Sequence, residues 1–333
     1  MQPCVPSAQR IMRRSGAFFA LLILTLTAVV TNDAAAQTRS QARSKKQNLQ
    51  KQDPLPQKPG THEQTLESSK KKREYLLHIP RGYKKKQKKL LPLVVMLHGR
   101  TGSGRGAASG YYGWKQLSER EKFIAVFPTA LGSPTSWKGA WRGTPTVDSI
   151  YLAELIDLLL EQLRIDKNRV FMTGHSSGGF MSFSFAATHP EKVAAIGPVA
   201  GLMVGSTRPK TPVSVISFHG MADDVVKYGK KGGRRGMLGA EDSAAFFAEN
   251  NESAKVERTE TAKGSVHIDT WKGGKDGTTV MLYSIVSGDH GWPQGGSRSV
   301  AATKLIWSFF AKHPRTDRAK KTNKKAKSAR VSR

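Results

Sequence analysis

The pentapeptide Gly174-His175-Ser176-Ser177-Gly178 sets a serine between two glycines, after the apolar run 169–173 and ahead of a stretch, 178–188, with helical composition. A G-x-S-x-G motif between a strand and a helix can form a sharp elbow. Small flanking residues let the chain reverse, the serine takes a strained backbone conformation, and its hydroxyl stands at the tip. The first N–H groups of the following helix lack intrahelical partners, so the amide of Ser177 can hold the oxyanion formed when Ser176 attacks a carbonyl. The bare motif is common by chance, so its weight rests on this context. Ser177 is the competing hydroxyl, but in this register it opens the helix.

A serine hydroxyl is a weak nucleophile at neutral pH and needs a histidine base, usually oriented by a carboxylate. In the α/β-hydrolase order, acid and then base follow the serine on loops after later strands. Phe218-His219-Gly220-Met221-Ala222-Asp223 follows one apolar run and Gly288-Asp289-His290-Gly291-Trp292-Pro293 follows the last one. Asp223 and His290 meet the requirement, with Asp224 open as an alternative to Asp223 by spacing alone. His219 precedes a glycine at a strand end, and His175 is expected to face away from the site. A second oxyanion donor should come from the loop after an early strand. Leu97-His98-Gly99-Arg100 supplies it: Gly99 permits close backbone approach, Arg100 offers the N–H, and His98 orients the loop.

The glycine-rich stretch 99–110 fits neither phosphate-binding fingerprint. A P-loop needs Lys and then Ser or Thr after Gly104, where Arg105 and Gly106 stand, and Gly104-x-Gly106 is followed by Ser109 where a dinucleotide motif needs glycine. No HExxH-like spacing occurs, and the single cysteine, Cys4, excludes intrachain disulfides, cysteine zinc sites and thiol chemistry. The expected chemistry uses no cofactor and no metal.

The elements that must position these groups lie in a chain of 333 residues with 38% hydrophobic content, enough for a sizeable core. Arg10, Arg13 and Arg14 precede an apolar run, 17–30, and an Ala34-x-Ala36 site, which reads as a secretory signal peptide over 1–36 cleaved before Gln37. That run is shorter than the roughly 20 residues a membrane span needs. The expected product is secreted or periplasmic and lacks a transmembrane segment. The net charge is +29, but residues 37–73 hold 10 basic and 3 acidic side chains and 312–333 hold 10 and 1. Both flanks, 37–73 and 313–333, read as disordered basic segments able to make salt-sensitive, non-specific contact with polyanions.

Between them, strands are expected at 75–79, 93–97, 123–127, 169–173, 193–199, 213–218, 266–271 and 280–285. Helices are expected at 115–121, 150–163, 178–188, 240–249 and 300–311. This alternation argues for one domain over 74–312 with a mainly parallel sheet covered on both faces.

These residues together resemble the extracellular α/β-hydrolase esterases grouped as polyhydroxybutyrate depolymerases and feruloyl or acetylxylan esterases. The resemblance rests on Pro92-Leu93-Val94-Val95-Met96-Leu97-His98-Gly99, Val147-Asp148, Val170-Phe171-Met172-Thr173 with Gly174-His175-Ser176-Ser177-Gly178-Gly179, His219-Gly220-Met221-Ala222-Asp223 and His290-Gly291-Trp292-Pro293. It implies an α/β-hydrolase fold with no large lid domain and cofactor-free hydrolysis of ester substrates, including polymeric ones. It also matches Ser176, Asp223 and His290 to the family's serine, aspartate and histidine, which favours Asp223 over Asp224. Departures are Arg100, where some members carry cysteine, Lys227, where proline is common, and the absence of family disulfides.

Trp292, Trp137 and Trp141 are expected to supply aromatic surface to the substrate site, and the basic loop 227–235 to favour esters bearing a carboxylate. Two rival readings are a serine peptidase of the same fold and a polyanion-binding protein on an inactive hydrolase scaffold.

Overall fold

A computed structural model describes residues 53–139, 143–229, 236–297 and 299–316. Its ten strands form one sheet in the order β1-β2-β4-β3-β5-β6-β7-β10-β9-β8. They are β1 (Gly60–Ser68), β2 (Lys71–Ile79), β3 (Leu91–Leu97), β4 (Ile124–Pro128), β5 (Ile165–His175), β6 (Ala195–Val199), β7 (Ser214–Gly220), β8 (Ala254–Thr261), β9 (Val266–Lys272) and β10 (Val280–Ile285). The helices are α1 (Gly104–Ala107), α2 (Trp114–Glu121), α3 (Val147–Gln162), α4 (Ser177–Thr188), α5 (Ala240–Asn250) and α6 (Ala302–Lys312). The central strands β4-β3-β5-β6-β7-β10 pair in parallel, and antiparallel hairpins close both ends.

Central strands such as Leu-Pro-Leu-Val-Val-Met-Leu in β3 are buried at every position, as a sheet covered on both faces requires. Phe171 in β5 stacks on Phe310 of α6 with ring centroids 4.7 Å apart, and Trp114 of α2 joins the same layer. Helix α4 packs against β3, β5 and β6, strands that overlap those under α6, so the two helices lie on opposite faces. Phe183 of α4 meets Phe247 of α5 on that second face.

Register carries the fold to the site. Leu97 of β3 and Pro198 of β6 both pair with Gly174 of β5, so the loops that follow these strands leave the sheet side by side. Gly220 of β7 pairs with Ile285 of β10, which brings the loops holding Asp223 and His290 together. Open α/β sheets place ligands beyond the carboxyl ends of their parallel strands for this reason.

Both expectations about the flanks change, and one strand appears where none was expected. The linker expected to be disordered as far as residue 73 instead forms β1, which pairs with β2 from Gly60↔Ile79 to Ser68↔Lys71. Most of β1's alternate positions remain outside the core, with only Leu66 and Ser68 buried, so backbone pairing builds the strand and little apolar periodicity marks it. Ordered contacts begin earlier still, where the Leu55 N–H donates to Gln162 Oε1 at 2.7 Å. At the other end, residues 313–316 are anchored: the Arg315 N–H donates to the Asn168 carbonyl at 2.8 Å. Residues 254–261, where no element was expected, form β8, whose Arg258 guanidinium grips Asp269 of β9 in a bidentate pair at 2.6 and 2.7 Å. The signal segment 1–36, residues 37–52 and the tail 317–333 lie outside the described residues. No helix among the described residues is long and apolar enough to cross a membrane.

One buried ion pair ties the loop after β4 to the sheet. Arg73 in β2 donates to Asp148 Oδ1 at 2.7 Å, both side chains are 1–2% exposed, and the other carboxylate oxygen accepts the Lys138 N–H at 2.8 Å. The guanidinium also lies 3.9 Å over the Tyr151 ring. Asp148→Ala leaves a buried guanidinium without its counter-charge, and a stability loss of about 3–5 kcal/mol is expected. Urea denaturation of both proteins checks this, and a loss below about 1 kcal/mol would show that the pair is dispensable.

Candidate active site

Ser176 caps α4 with φ 53° and ψ −118°, the left-handed strain expected of an elbow. Its N–H donates to the Val199 carbonyl at 2.9 Å, anchoring the turn to the end of β6. The neighbouring glycines are needed for close approach: a Cβ on Gly178 would fall 2.4 Å from the Leu97 carbonyl oxygen, and one on Gly174 would fall 2.5 Å from Gly178. Ser177 follows as the first residue of α4, and its hydroxyl is buried with no hydrogen-bond partner among the described residues.

His290 Nε2 lies 2.8 Å from Ser176 Oγ, and His290 Nδ1 lies 2.8 Å from Asp223 Oδ2. The structure therefore brings together three residues that stand 114 and 67 positions apart along the chain. The Asp223 side chain is fully buried while the His290 side chain is 19% exposed, which suits an orienting carboxylate behind a ring that meets substrate. Burial alone pushes the Asp223 carboxyl up. Hydrogen bonds from His219, His290 and the Val226 N–H outweigh it and hold the group well below the usual carboxylate range. Oδ1 accepts the Val225 and Val226 N–H groups at 2.9 and 2.7 Å. With Oδ1 so occupied, Oδ2 is left to His290, and His290 Nδ1–H with a basic Nε2 facing Ser176 is the tautomer this arrangement selects.

Three other histidines support the site. His175 was expected to face away, but its Nε2 lies 2.7 Å from the His290 carbonyl and its Nδ1 lies 3.2 Å from the Tyr112 hydroxyl. The reversal at the elbow turns the side chain before the nucleophile toward the loop of the base, an orientation invisible in a one-dimensional motif. His219 Nε2 lies 2.8 Å from the Val226 carbonyl and 3.4 Å from Asp223 Oδ2, closing the far side of the carboxylate. His98 accepts the Ala130 N–H at Nε2, 3.0 Å away, and Nδ1 lies 2.6 Å from the Gly99 carbonyl. The loop that carries Arg100 is thus fixed from both ends of one ring.

Ser176 and His290 line a cleft of about 530 Å³ together with Arg100, Tyr111, Tyr112 and Val225. Gly99 brings the backbone before Arg100 against the nucleophile: a Cβ there would lie 3.6 Å from Ser176 Cβ. The aromatic expectations are corrected. Trp292 is 3% exposed, donates from Nε1 to Thr303 Oγ1 at 3.0 Å, and packs edge-on against Tyr112 at 4.9 Å, so it supports the cleft wall from behind. Trp137 is 6% exposed and donates to the His98 carbonyl at 3.0 Å. An indole N–H that finds a buried acceptor is drawn inward, which composition alone does not reveal. Trp141 and residues 230–235 of the basic loop lie outside the described residues. Tyr111, Tyr112 and Val225 are not among the expected site residues, although the tyrosine pair beside a glycine-rich loop is a usable signal. Among the described residues no group of three or more His, Cys, Asp and Glu side chains is arranged to hold a metal ion.

A family model described as the alpha/beta hydrolase fold matches residues 92–259. The chain is 28% identical over 243 residues to a probable feruloyl esterase C of Aspergillus terreus, covering 72% of this chain and 83% of that one. It is 30% identical over 138 residues, 41% of its length, to a bifunctional acetylxylan esterase/xylanase of Neocallimastix patriciarum, of which it spans 20%. It is 33% identical over 132 residues to poly(3-hydroxyalkanoate) depolymerase C of Paucimonas lemoignei, covering 37% of this chain and 30% of that one. The solved structure of an acetyl xylan esterase from Aspergillus awamori superposes with a TM-score of 0.57 at 19% identity, over 76% of this chain and 99% of that one, a likeness of fold.

Burial holds the imidazoles of His98 and His175 below their ordinary value of 6.5, against backbone hydrogen bonds that raise them. Below pH 6.5 the unfolded chain takes up protons at these positions that the native rings refuse, so stability present above that pH is lost as pH falls through the lower native values. The unfolding free energy is expected to fall as pH drops below about 6.5, by up to about 1.4 kcal/mol per pH unit for each such ring, and the urea midpoint falls with it. His175→Gln keeps a donor for the His290 carbonyl and removes one titrating ring, so its midpoint should fall less over that range. Parallel midpoint curves for the two proteins would contradict a neutral buried His175.

Proposed function

The chain belongs to the alpha/beta hydrolase fold family, and from that premise we propose that Ser176, His290 and Asp223 work as nucleophile, general base and orienting carboxylate of an ester hydrolase. The protein is a serine hydrolase acting on carboxylic ester bonds, in keeping with its esterase relatives. The observation that carries the assignment of roles is the unbroken relay from Ser176 Oγ through His290 to Asp223, with both links at 2.8 Å, on a strained elbow.

Ser176 Oγ attacks the ester carbonyl as His290 Nε2 takes the hydroxyl proton. The carbonyl oxygen becomes an oxyanion, met by the amides of Ser177, at the first turn of α4, and of Arg100. His290 returns the proton to the leaving alkoxide, the alcohol departs, and an acyl-Ser176 ester remains. Water then gives a proton to His290 and its oxygen to the acyl carbon, and collapse of the second tetrahedral intermediate frees the acid and restores the serine. The buried Asp223 carboxylate stabilises the imidazolium at each stage without itself taking a proton.

The substrate classes that fit are those in the names of the relatives: feruloyl and acetylxylan esters, where the acyl group hangs from a carbohydrate, and poly(3-hydroxyalkanoate), where the ester is the backbone. An N-terminal signal and an exported product would bring the enzyme to such insoluble or extracellular material, and the basic flanks would keep it near polyanionic surfaces.

Hydrolysis of short p-nitrophenyl esters by the wild-type protein and by Ser176→Ala tests the reading. The variant is expected to lose about 10⁴-fold or more in kcat. A fluorophosphonate probe should label the wild type at Ser176 and leave the variant unlabelled. A folded wild type that neither turns over esters nor takes the probe would overturn the assignment and favour the scaffold reading. Faster cleavage of an aminoacyl amide than of its matched ester would move it to peptidase.

A further inference from the structure

The cleft around Ser176 has walls of two different kinds. Tyr111 and Val225 are 53% and 67% exposed, and both line it, although large hydrophobic side chains this exposed are few among the described residues. Neither is loose. The Tyr111 ring packs edge-on against Tyr112 at 4.9 Å, and its carbonyl accepts from Gln294 Nε2 at 2.9 Å. The Val225 N–H donates to Asp223 Oδ1 at 2.9 Å, so the carboxylate that orients the base also sets this wall. Exposed apolar side chains on a backbone anchored at a concave site favour an uncharged portion of a ligand.

Arg100 is the other kind of wall. It is exposed, it lines the same cleft, and no aspartate or glutamate shares that lining. Nearby Arg105 is paired with Glu63, whereas Arg100 forms no ion pair among the described residues. The residue before it lies against the nucleophile: a Cβ added to Gly99 would fall 3.6 Å from Ser176 Cβ.

We propose that Arg100 makes this cleft selective for esters that carry a free carboxylate close to the scissile bond, with Tyr111 and Val225 seating the uncharged remainder. The proposal rests on the esterase reading and names the substrate class of the same site. Attack on such an ester creates a second negative charge, the oxyanion, beside the carboxylate already present, and that repulsion slows the reaction in a site without a counter-charge. A permanently charged guanidinium on a residue that lines the same cleft offsets it. A short hydroxyacid oligomer, with an apolar side group and a free acid end, has this chemistry.

The test compares p-nitrophenyl hydrogen succinate with p-nitrophenyl butyrate, which share a leaving group and an acyl length and differ in the terminal carboxylate. The readout is the ratio of their kcat/KM values in wild type, Arg100→Gln and Arg100→Lys, all of which keep the backbone N–H. The ratio is expected to fall about five- to tenfold in Arg100→Gln and to be largely restored in Arg100→Lys. Raising salt from about 0.05 to 0.5 M should lower the wild-type ratio and leave that of Arg100→Gln nearly flat. A ratio unmoved by Arg100→Gln, with both esters turned over and Ser176 labelled by the phosphonate, overturns this inference alone. Failure of both turnover and labelling overturns the esterase reading, and this inference with it.

Discussion

The arrangement depends on one tight backbone crossing at the carboxyl ends of β3, β5 and β6. Ser176 holds a positive φ of 53°, a conformation that costs of order 1–3 kcal/mol and persists only where surrounding structure fixes it. Here the fixing is done by backbone contacts: Gly178 meets the Leu97 carbonyl, Gly179 meets that of Val199, and Gly201 meets Gly179, with no room for a side chain at any of them. The parallel register that pairs both Leu97 and Pro198 with Gly174 makes these contacts coincide at one point. A slip of one residue in the first pairing would separate Ser176 from the His98 to Arg100 loop, and a slip in the second would break its anchor to Val199.

Around this crossing the electrostatics are arranged by backbone and histidine donors. Among the described residues no guanidinium or ammonium pairs with Asp223. Its partners are two N–H groups and two imidazoles, His290 and His219, so the carboxylate stays ionised without a fixed cation that would compete with the imidazolium for it. The buried ion pair of Arg73 with Asp148 sits instead behind the loop that follows β4, where it fixes structure and does not meet the cleft. Separating the structural charge pair from the reacting one lets each be optimised for its own task.

Much of this was legible in the sequence because the chemistry sits where local signals are strong. Strand ends followed by Gly-His-Ser-Ser-Gly, by His-Gly-x-x-Asp and by Asp-His-Gly-Trp combine a buried run with a turn, and each such junction in a parallel sheet opens on the same edge. What the sequence hid has a common physical cause. Strands β1 and β8 are edge strands, held by backbone pairing and by charged pairs such as Arg258 with Asp269, so little apolar periodicity marks them. Polar and charged edges also discourage pairing with another chain, so the property that concealed these strands has a use. His175 and Trp292 were misplaced because their roles depend on which partner waits across the fold: the His290 carbonyl for one, Thr303 for the other.

Those two residues also show why substrate recognition and catalysis cannot vary independently here. Trp292 supports Tyr112, whose hydroxyl meets His175 Nδ1, while His175 Nε2 meets the carbonyl of the base His290. Tyr111 leans on Tyr112, and Val225 hangs from the carboxylate of Asp223. Each apolar wall of the cleft is therefore one or two contacts from the residues that position the proton transfer. A change of wall that shifted Tyr112 would be felt at the His290 loop, where small displacements of the base are costly to rate. Arg100 lies outside this chain of contacts, on a loop fixed separately through His98 and Trp137. Charge preference can thus change at that position while the base remains where Asp223 and His175 hold it.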